Sequence, residues 1–553
     1  MMSVKKAKSN GDMNILTSLP LKSEITRDSR SPFVHKFQTP LKKYILDVNT
    51  NRVLCVDAVT WDIVDEFGVL EKADTIRKYS DKYEPSEISS AYKGITDAQE
   101  HNNLLPRSFE LAALPDLKVF QESIENKRRR LTLCVTEDCN FRCDYCIYGR
   151  QYRTWRNHSK RRMNWEVAQL AIDDFINHSH DCGELFNKPL RFITFYGGES
   201  LLNFQLIKRC VLYVREKLAD QITFAVLTNG SLLSGEVADF LASENATIQV
   251  SLNGPSHIHD YHRHFTDGSG TWKLVTRNIR DFIDKYPQYN TEEFDKPHLC
   301  ISTTLSPLLN ALDVEDFFCF RTPDVIHCNP HLSFAKMKSS DSYYIESLAP
   351  EDRKIPGMET LYRRFLSNVS SGLINQNPRD RKWIFQRLLF AIPFHNFLTR
   401  AIASPEVQFL DGRSRLSTMC TPGSEDNCFV TVDGSYYPCE RGPSCEEFKI
   451  GDVWNGIDIA KSHGLKKEFT ELCEDKCKRC WCVNNCHISC CAFVRDGARI
   501  TAEAKQRACD KHREDTHRML TDLFEVLEAN PHAFDFLKET EDHVTAEVVM
   551  DTK

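Results

Sequence analysis

The sequence contains no run approaching the roughly 20 apolar residues of a membrane-crossing helix, and its start, MMSVKKAKSNGDMN, lacks the apolar core of a secretory signal. Both absences predict a cytoplasmic chain with no membrane partner. A basic surplus is missing too: 71 Lys and Arg against 78 Asp and Glu leave a formal charge of -7. Nothing is left over to neutralise a phosphate backbone, so nucleic acid is not an expected partner. The local clusters Arg128, Arg129, Arg130 and Lys160, Arg161, Arg162 read as solvated charge. No internal repeat is visible. Apolar residues are not scarce: 41% hydrophobic and 27% charged residues are near globular averages and exclude disorder as the main theme. At 553 residues the chain needs more than one core.

What is abundant is cysteine, with 22 residues. A reducing cytosol makes these better metal ligands than disulfide partners. Twelve lie between Cys420 and Cys509, and three form a tight group at Cys139, Cys143 and Cys146.

The pattern along the chain predicts six segments. Residues 1–31 are polar, without a sustained period, and are expected to be a mobile tail. Residues 32–120 form a small α+β domain. It opens with a hairpin of Tyr44–Val48 and Arg52–Val59 and continues with short helices, the first marked by Trp61, Val64 and Phe67 at helical spacing. From 126 to 345, strand-like runs at 131–136, 191–196, 222–227, 247–252, 300–305 and 325–328 alternate with helical stretches at 165–178, 204–217 and 272–285. That alternation predicts an α/β fold, a parallel partial barrel of six strand-helix units. A helical bridge (346–410), a cysteine-rich domain (411–515) and a closing helical region (516–553) complete the expectation.

Cys139, Cys143 and Cys146 read CxxxCxxC in the loop after the first barrel strand, where parallel-sheet folds place active sites. Three thiolates can hold three corners of a four-iron cube and leave the fourth iron open. A structural zinc site normally takes four ligands, and no fourth Cys or His lies within a few residues of Cys146.

The triad in this place resembles the radical SAM superfamily, and the likeness extends through the barrel. It implies a 4Fe-4S cluster whose open iron binds S-adenosylmethionine, an electron passed to the sulfonium, and a 5'-deoxyadenosyl radical that abstracts hydrogen from a substrate. Gly197, Gly198 and Glu199 match the family's GGE motif, with Glu199 accepting from the methionyl ammonium. In SLNGPSHIHDYHR, Ser251 and Arg263 match positions that contact the nucleoside and carboxylate, while Asn253 departs from a common Asp. Tyr145 matches an aromatic near the adenine; packing in the core is its alternative role.

In the second cysteine field, Cys420, Gly434 and Cys439, then Cys477, Cys480, Cys486 and Cys490, then Cys509, match the SPASM signature of radical SAM peptide modifiers. The resemblance implies two auxiliary 4Fe-4S clusters, three in all. Cys477, Cys480, Cys486 and Cys509 would hold the outer cluster, and Cys420, Cys439 and Cys490 the inner one. Either Cys428 or a substrate thiolate could supply the inner cluster's fourth ligand. Cys445, Cys473, Cys482 and Cys491 fall outside the rule. Glu440 stands where sulfatase maturases of this type carry an Asp base, so it is the candidate catalytic residue, with a solvated or supporting carboxylate as its alternative.

The small domain resembles the winged-helix-like element by which peptide maturases bind a precursor's leader through strand addition; its alternative is a mere buttress for the barrel. Together these parts imply a peptide maturase that installs a Cys thioether in a ribosomal precursor, with reduced flavodoxin or ferredoxin as electron donor. The alternatives are a carbon-carbon cross-link, epimerisation or formylglycine formation. A non-catalytic iron-sulfur electron carrier or a zinc-dependent interaction protein would have no need of the GGE motif.

Overall fold

The computed structural model describes residues 14–15, 31–101, 103–106, 110–111, 114–149, 156–185, 188–189, 191–290, 299–307, 309–321, 332–336, 353–377, 380–402, 413–414, 420–424, 428–472, 474–486, 488, 494–496 and 499–540. The small domain is a four-stranded antiparallel sheet of β1 (Asn14–Ile15), β2 (Val34–Gln38), β3 (Lys43–Asp47) and β4 (Arg52–Val56), in the order β1-β4-β3-β2. Within the segment expected as a tail, β1 thus pairs with the outer edge of β4.

The expected hairpin is β3–β4. Its turn ends on Asn51 at φ 55, a left-handed conformation that Asn tolerates better than most residues. Asp47 anchors the turn from a fully buried position, accepting from the amides of Asn49 and Leu104, each at 3.0 Å. Burial pushes its carboxyl up to about 6, against the pull of those bonds. Helices α1 (Ala58–Ile63), α2 (Lys72–Lys78) and α3 (Pro85–Glu100) follow, and Ile45, Leu54, Ile63, Val64, Ile88 and Ile95 form a core distinct from the main one.

Five of the six expected barrel strands appear close to their expected bounds: β5 (Arg130–Thr136), β6 (Phe192–Gly197), β7 (Thr223–Thr228), β8 (Thr247–Ser251) and β9 (Leu299–Leu305). They pair in parallel, in sequence order. Residues 325–328, expected as the sixth strand, lie outside the described residues; β10 (Leu332–Lys336) pairs with β9. The crossovers include α4 (Trp165–Asn177), α5 (Phe204–Leu218), α6 (Gly235–Ser243), α7 (Ser256–His262) and α8 (Trp272–Lys285), three of which match the expected helices. Alternation works as the pleat requires: in β9, residues 299, 301, 303 and 305 are buried and their neighbours half-buried.

On its other side the same sheet continues into the cysteine-rich region. β11 (Cys428–Val430) lies parallel to β5, followed by antiparallel β12 (Ser435–Tyr437), β13 (Gly451–Asp452) and β14 (Gly456–Ile457), which makes ten strands in one sheet. The last long helix, α9 (Ala502–Ala529), crosses the boundary expected at 515 without a break and carries Cys509. Among the described residues, no helix is long and apolar enough to cross a membrane.

A buried polar network latches the added strands to the barrel. Asp174 on α4 bonds Arg128, the hydroxyl of Tyr436 on β12 at 2.7 Å, and His178. Burial would raise the Asp174 carboxyl, but His178, Arg128 and Tyr436 outweigh it and hold the group well below the usual carboxylate range. Its stabilisation is therefore complete above the ordinary carboxylate range and is lost as pH falls toward its own depressed value. Asp174→Asn, which strands a buried guanidinium, is expected to destabilise the fold by about 3 kcal/mol at neutral pH. Urea unfolding across a pH series should show the gap between variant and wild type narrowing in acid.

Candidate functional site

The C-terminal end of β6 meets the loop that leaves β5. Gly197 sits at φ +150, and a Cβ there would lie 2.2 Å from the Thr136 carbonyl oxygen; one on Gly198 would lie 2.4 Å from that of Asp138. Only glycine permits this approach. The amides of Gly198 and Glu199 donate to those carbonyls at 2.9 and 2.8 Å. The two loops are zipped together immediately before Cys139. Glu199 turns inward, 1% exposed, and accepts from Leu201 N (3.1 Å), Thr228 Oγ1 (2.7 Å) and Asn229 N (2.6 Å). A carboxylate has about four acceptor sites, so these three bonds leave room for one more donor. Burial raises its carboxyl while these bonds oppose the rise.

Cys139, Cys143 and Cys146 are gathered on this loop. Burial raises all three thiols, Cys146 to about 12, and Cys143 adds to the rise at Cys146. Arg263 partly offsets burial at Cys143. Among the described residues, no three His, Cys, Asp or Glu side chains stand at the spacing that a single metal ion needs. An iron–sulfur cube is wider than one ion, so its ligands stand further apart.

Tyr145, inside the triad, receives hydrogen bonds at its hydroxyl from Asn253 Nδ2 and Arg263 Nη1, both at 2.8 Å. Asn253 therefore serves here as an amide donor. Its side-chain oxygen accepts from Thr304 N at 3.1 Å, which ties the segment after β8 to β9. Arg263, 7% exposed, leaves Nε buried without an acceptor among the described residues. Ser251 ends β8, half-buried. The triad loop is braced from the same segment: Arg142 N and Asp144 N donate to the carbonyls of His264 and His262, and both imidazoles reach the Asp144 carboxylate.

In the second field, Cys486 lies close enough to Cys477, Cys509 and Cys480 for each to act on its thiol; burial, the larger effect, pushes it up to about 12. Cys477 and Cys480 act likewise on Cys509. Cys490 lies outside the described residues. Cys420 and Cys439 are half-buried. Cys428 is fully buried on β11, with its thiol pushed up to about 12 by burial and acted on by Arg128 and Asp174. Strand alternation groups it with Tyr436, whose hydroxyl also reaches Asp174, whereas Phe429 faces the Arg156 guanidinium and Tyr196. Cys428 therefore points away from the face that carries Phe429. Glu440 is half-buried beside Arg441, at 3.6 Å.

Sequence reasoning passed over several residues near the triad. Thr228 and Asn229 hold Glu199 from the end of β7, and Asn229 Nδ2 also reaches Asn140 at 2.9 Å; the signal was a Thr-Asn-Gly turn directly after a barrel strand. Tyr196, just before the glycines, has its hydroxyl raised by burial and further by Glu440 and Cys146, and its ring contacts those of Phe429 and Tyr148. Tyr148 is buried, its hydroxyl 3.1 Å from Cys134 Sγ. Arg156 packs against Phe429.

Residues 133–291 match the model of the Radical SAM superfamily. The serine-type anaerobic sulfatase-maturating enzyme of Bacteroides thetaiotaomicron is 28% identical over 143 residues, 26% of this chain and 33% of that protein. That alignment spans about a third of the relative's length. A cysteine-type anaerobic sulfatase-maturating enzyme of Clostridium perfringens is 23% identical over 398 residues, 69% of this chain and 93% of its own. In fold, the solved structure of polyhistidine-tagged anSMEcpe with bound AdoMet superposes with a TM-score of 0.51 at 19% identity, covering 76% of this chain and 98% of that one. The strand order, the glycine-zipped triad loop and the match over 133–291 make this barrel a radical SAM domain, in a chain that resembles SPASM-type maturases.

Proposed function

We propose that the chain is a radical SAM peptide maturase that binds a ribosomal precursor peptide through its leader and installs a Cys thioether. The observation that carries this reading is the triad loop pinned by Gly197 and Gly198, in a chain with a second group of thiols, Cys477, Cys480, Cys486 and Cys509, close enough to act on one another. An electron carrier would need no glycine pair and buried carboxylate beside its cluster.

The residues fit the implied groups. Three thiols on one loop, one buried and two half-buried, suit a cluster with one open corner, and on binding it they would give up their protons. The unpaired Nε of Arg263 suits a carboxylate, and the remaining acceptor site on Glu199 suits an ammonium, as S-adenosylmethionine offers. When bound, cluster and S-adenosylmethionine together supply a 5'-deoxyadenosyl radical that abstracts hydrogen. The chain's own contribution is to exclude water around the triad, to hold Tyr145 through Asn253 and Arg263, and to place Glu440 where it can take a substrate proton. Reduced flavodoxin or ferredoxin would supply the electron. Two auxiliary clusters, held by the outer four cysteines and by Cys420, Cys439 and Cys490, complete the proposal. The direction of Cys428 favours a substrate thiolate as the inner cluster's fourth ligand.

Similarity to sulfatase maturases over 69% of the chain favours a second reading, oxidation of a Ser or Cys to formylglycine. One experiment separates the two: anaerobic reconstitution with the Cys-containing precursor. A thioether removes two hydrogens and blocks thiol alkylation, while formylglycine yields a hydrazide-reactive aldehyde. Replacing Cys139, Cys143 and Cys146 by Ala is expected to abolish 5'-deoxyadenosine formation while retaining auxiliary-cluster iron; 5'-deoxyadenosine production at the wild-type rate would overturn the assignment.

The sheet edge that receives the leader would be that of β2, or that of β4 with β1 displaced. Deleting residues 1–100 is expected to spare abortive S-adenosylmethionine cleavage and to lower turnover of full-length precursor at least tenfold. Equal turnover of leader-bearing and leaderless peptide by the intact chain would refute leader docking.

A further inference from the structure

Between the triad loop and the Cys439 segment lies a buried cation that no motif announces. Arg156 is 5% exposed, and all three guanidinium nitrogens donate into residues 440–444: Nε to Ser444 Oγ at 2.8 Å, Nη1 to the Glu440 carbonyl at 2.9 Å, and Nη2 to the Gly442 carbonyl at 3.3 Å. Its Cζ lies 4.2 Å from the Phe429 ring centroid and 5.7 Å from that of Tyr148. On its other side, its own segment is tied to the triad: His158 N donates to Tyr148 O and Gly149 N to Cys146 O, both at 2.7 Å.

Every acceptor of this guanidinium is a neutral oxygen. The groups that act on its charge from a distance are Tyr148, Tyr196, Cys134 and Glu440. Taking a cation out of water for such partners is costly, and a neutral side chain could pack on Phe429 without that cost. What an arginine adds is a fork that pins three points of one segment, and a permanent positive charge on the carbonyl of Glu440, the residue after Cys439. A thiolate-ligated iron–sulfur cluster is anionic and gains a further negative charge on reduction. A fixed cation beside it favours the reduced form.

We infer that Arg156 is a positioning residue that clamps the Cys439 segment to the triad loop, and that its charge raises the reduction potential of the inner auxiliary cluster. The inference rests on the proposed function. In that reaction a hydrogen atom leaves the substrate carbon, a proton leaves the thiol and the carbon–sulfur bond closes. One electron is then surplus, and an inner cluster held by the Cys439 segment would be its acceptor. A cluster made easier to reduce by Arg156 is the better acceptor for it.

The test uses the full chain with Cys139, Cys143 and Cys146 replaced by Ala, so that only auxiliary clusters contribute, and follows them by electron paramagnetic resonance in a redox titration. Arg156→Gln should lower the ratio of reduced to oxidised inner cluster about tenfold at a fixed potential, about 59 mV for a one-electron couple. The cluster of Cys477, Cys480, Cys486 and Cys509 should be unaffected, and Arg156→Lys should restore the parent value. Iron content equal to the parent's establishes that each variant is folded and loaded. Equal ratios in all three proteins would overturn the inference alone. So would a shift in Arg156→Lys as large as in Arg156→Gln, because it would trace the effect to packing rather than charge. Absence of auxiliary-cluster iron from the parent would overturn both the inference and the function on which it rests.

Discussion

The approach of Gly197 and Gly198 to the carbonyls of Thr136 and Asp138 is the constraint on which the site depends. A loop leaving a parallel strand is free to wander unless something meets it, and here the neighbouring strand's end supplies two amide bonds at a distance no other side chain permits. With the loop pinned, Cys139 begins the triad at a determined place. Glu199, the next residue after the glycines, then reaches across to Thr228 and Asn229, so its carboxylate joins the ends of β6 and β7 as the two amides join those of β5 and β6. Tyr145, Asn253 and Arg263 close the opposite side by the same logic, with one hydroxyl receiving two donors from beyond β8.

What could be read in the sequence was what is local. Strands β5 to β9 announce themselves through β-branched and aromatic runs, and the helices between them through their period. The triad, the glycine pair and the outer cysteines are spacings, and spacings survive without knowledge of the fold. Non-local pairing was not legible. Cys428–Val430 reads as a short apolar segment of the cysteine-rich region, and nothing within it says that it extends the barrel sheet beside Leu131–Leu133. Its register, not its composition, decides that Cys428 looks toward Asp174 and Phe429 toward Arg156. Arg156 itself stands in a polar stretch with no period, where a solvated charge is the ordinary expectation.

The cysteine-rich region is therefore an extension of the barrel more than an appendage. Ten strands share one sheet, and the buried Arg128–Asp174–Tyr436 contact makes the join polar as well as apolar. Such a join is demanding in geometry, because each buried donor requires its acceptor in place. It suits a reaction in which the separation between two thiol-rich sites has to be held constant.

The small domain is secured to the far end of the chain. Tyr44 and Thr39 both bond Glu528 on α9, His35 stacks on Trp481 at 3.5 Å between centroids, and the side chains of Asn51 and Asn485 bond each other at 2.7 Å. These partners are separated by more than four hundred residues of sequence. During synthesis the small domain emerges first and can form its own core, but its docking surface does not exist until α9 has left the ribosome. Trp481 lies between Cys480 and Cys482, so the order of assembly is set by translation: the outer cysteine loop acquires its final neighbour only after the last long helix is made. Any ligand of these thiols that arrived before that moment would meet a loop still open to solvent, and one that arrived after it would meet a loop half-buried against its neighbours.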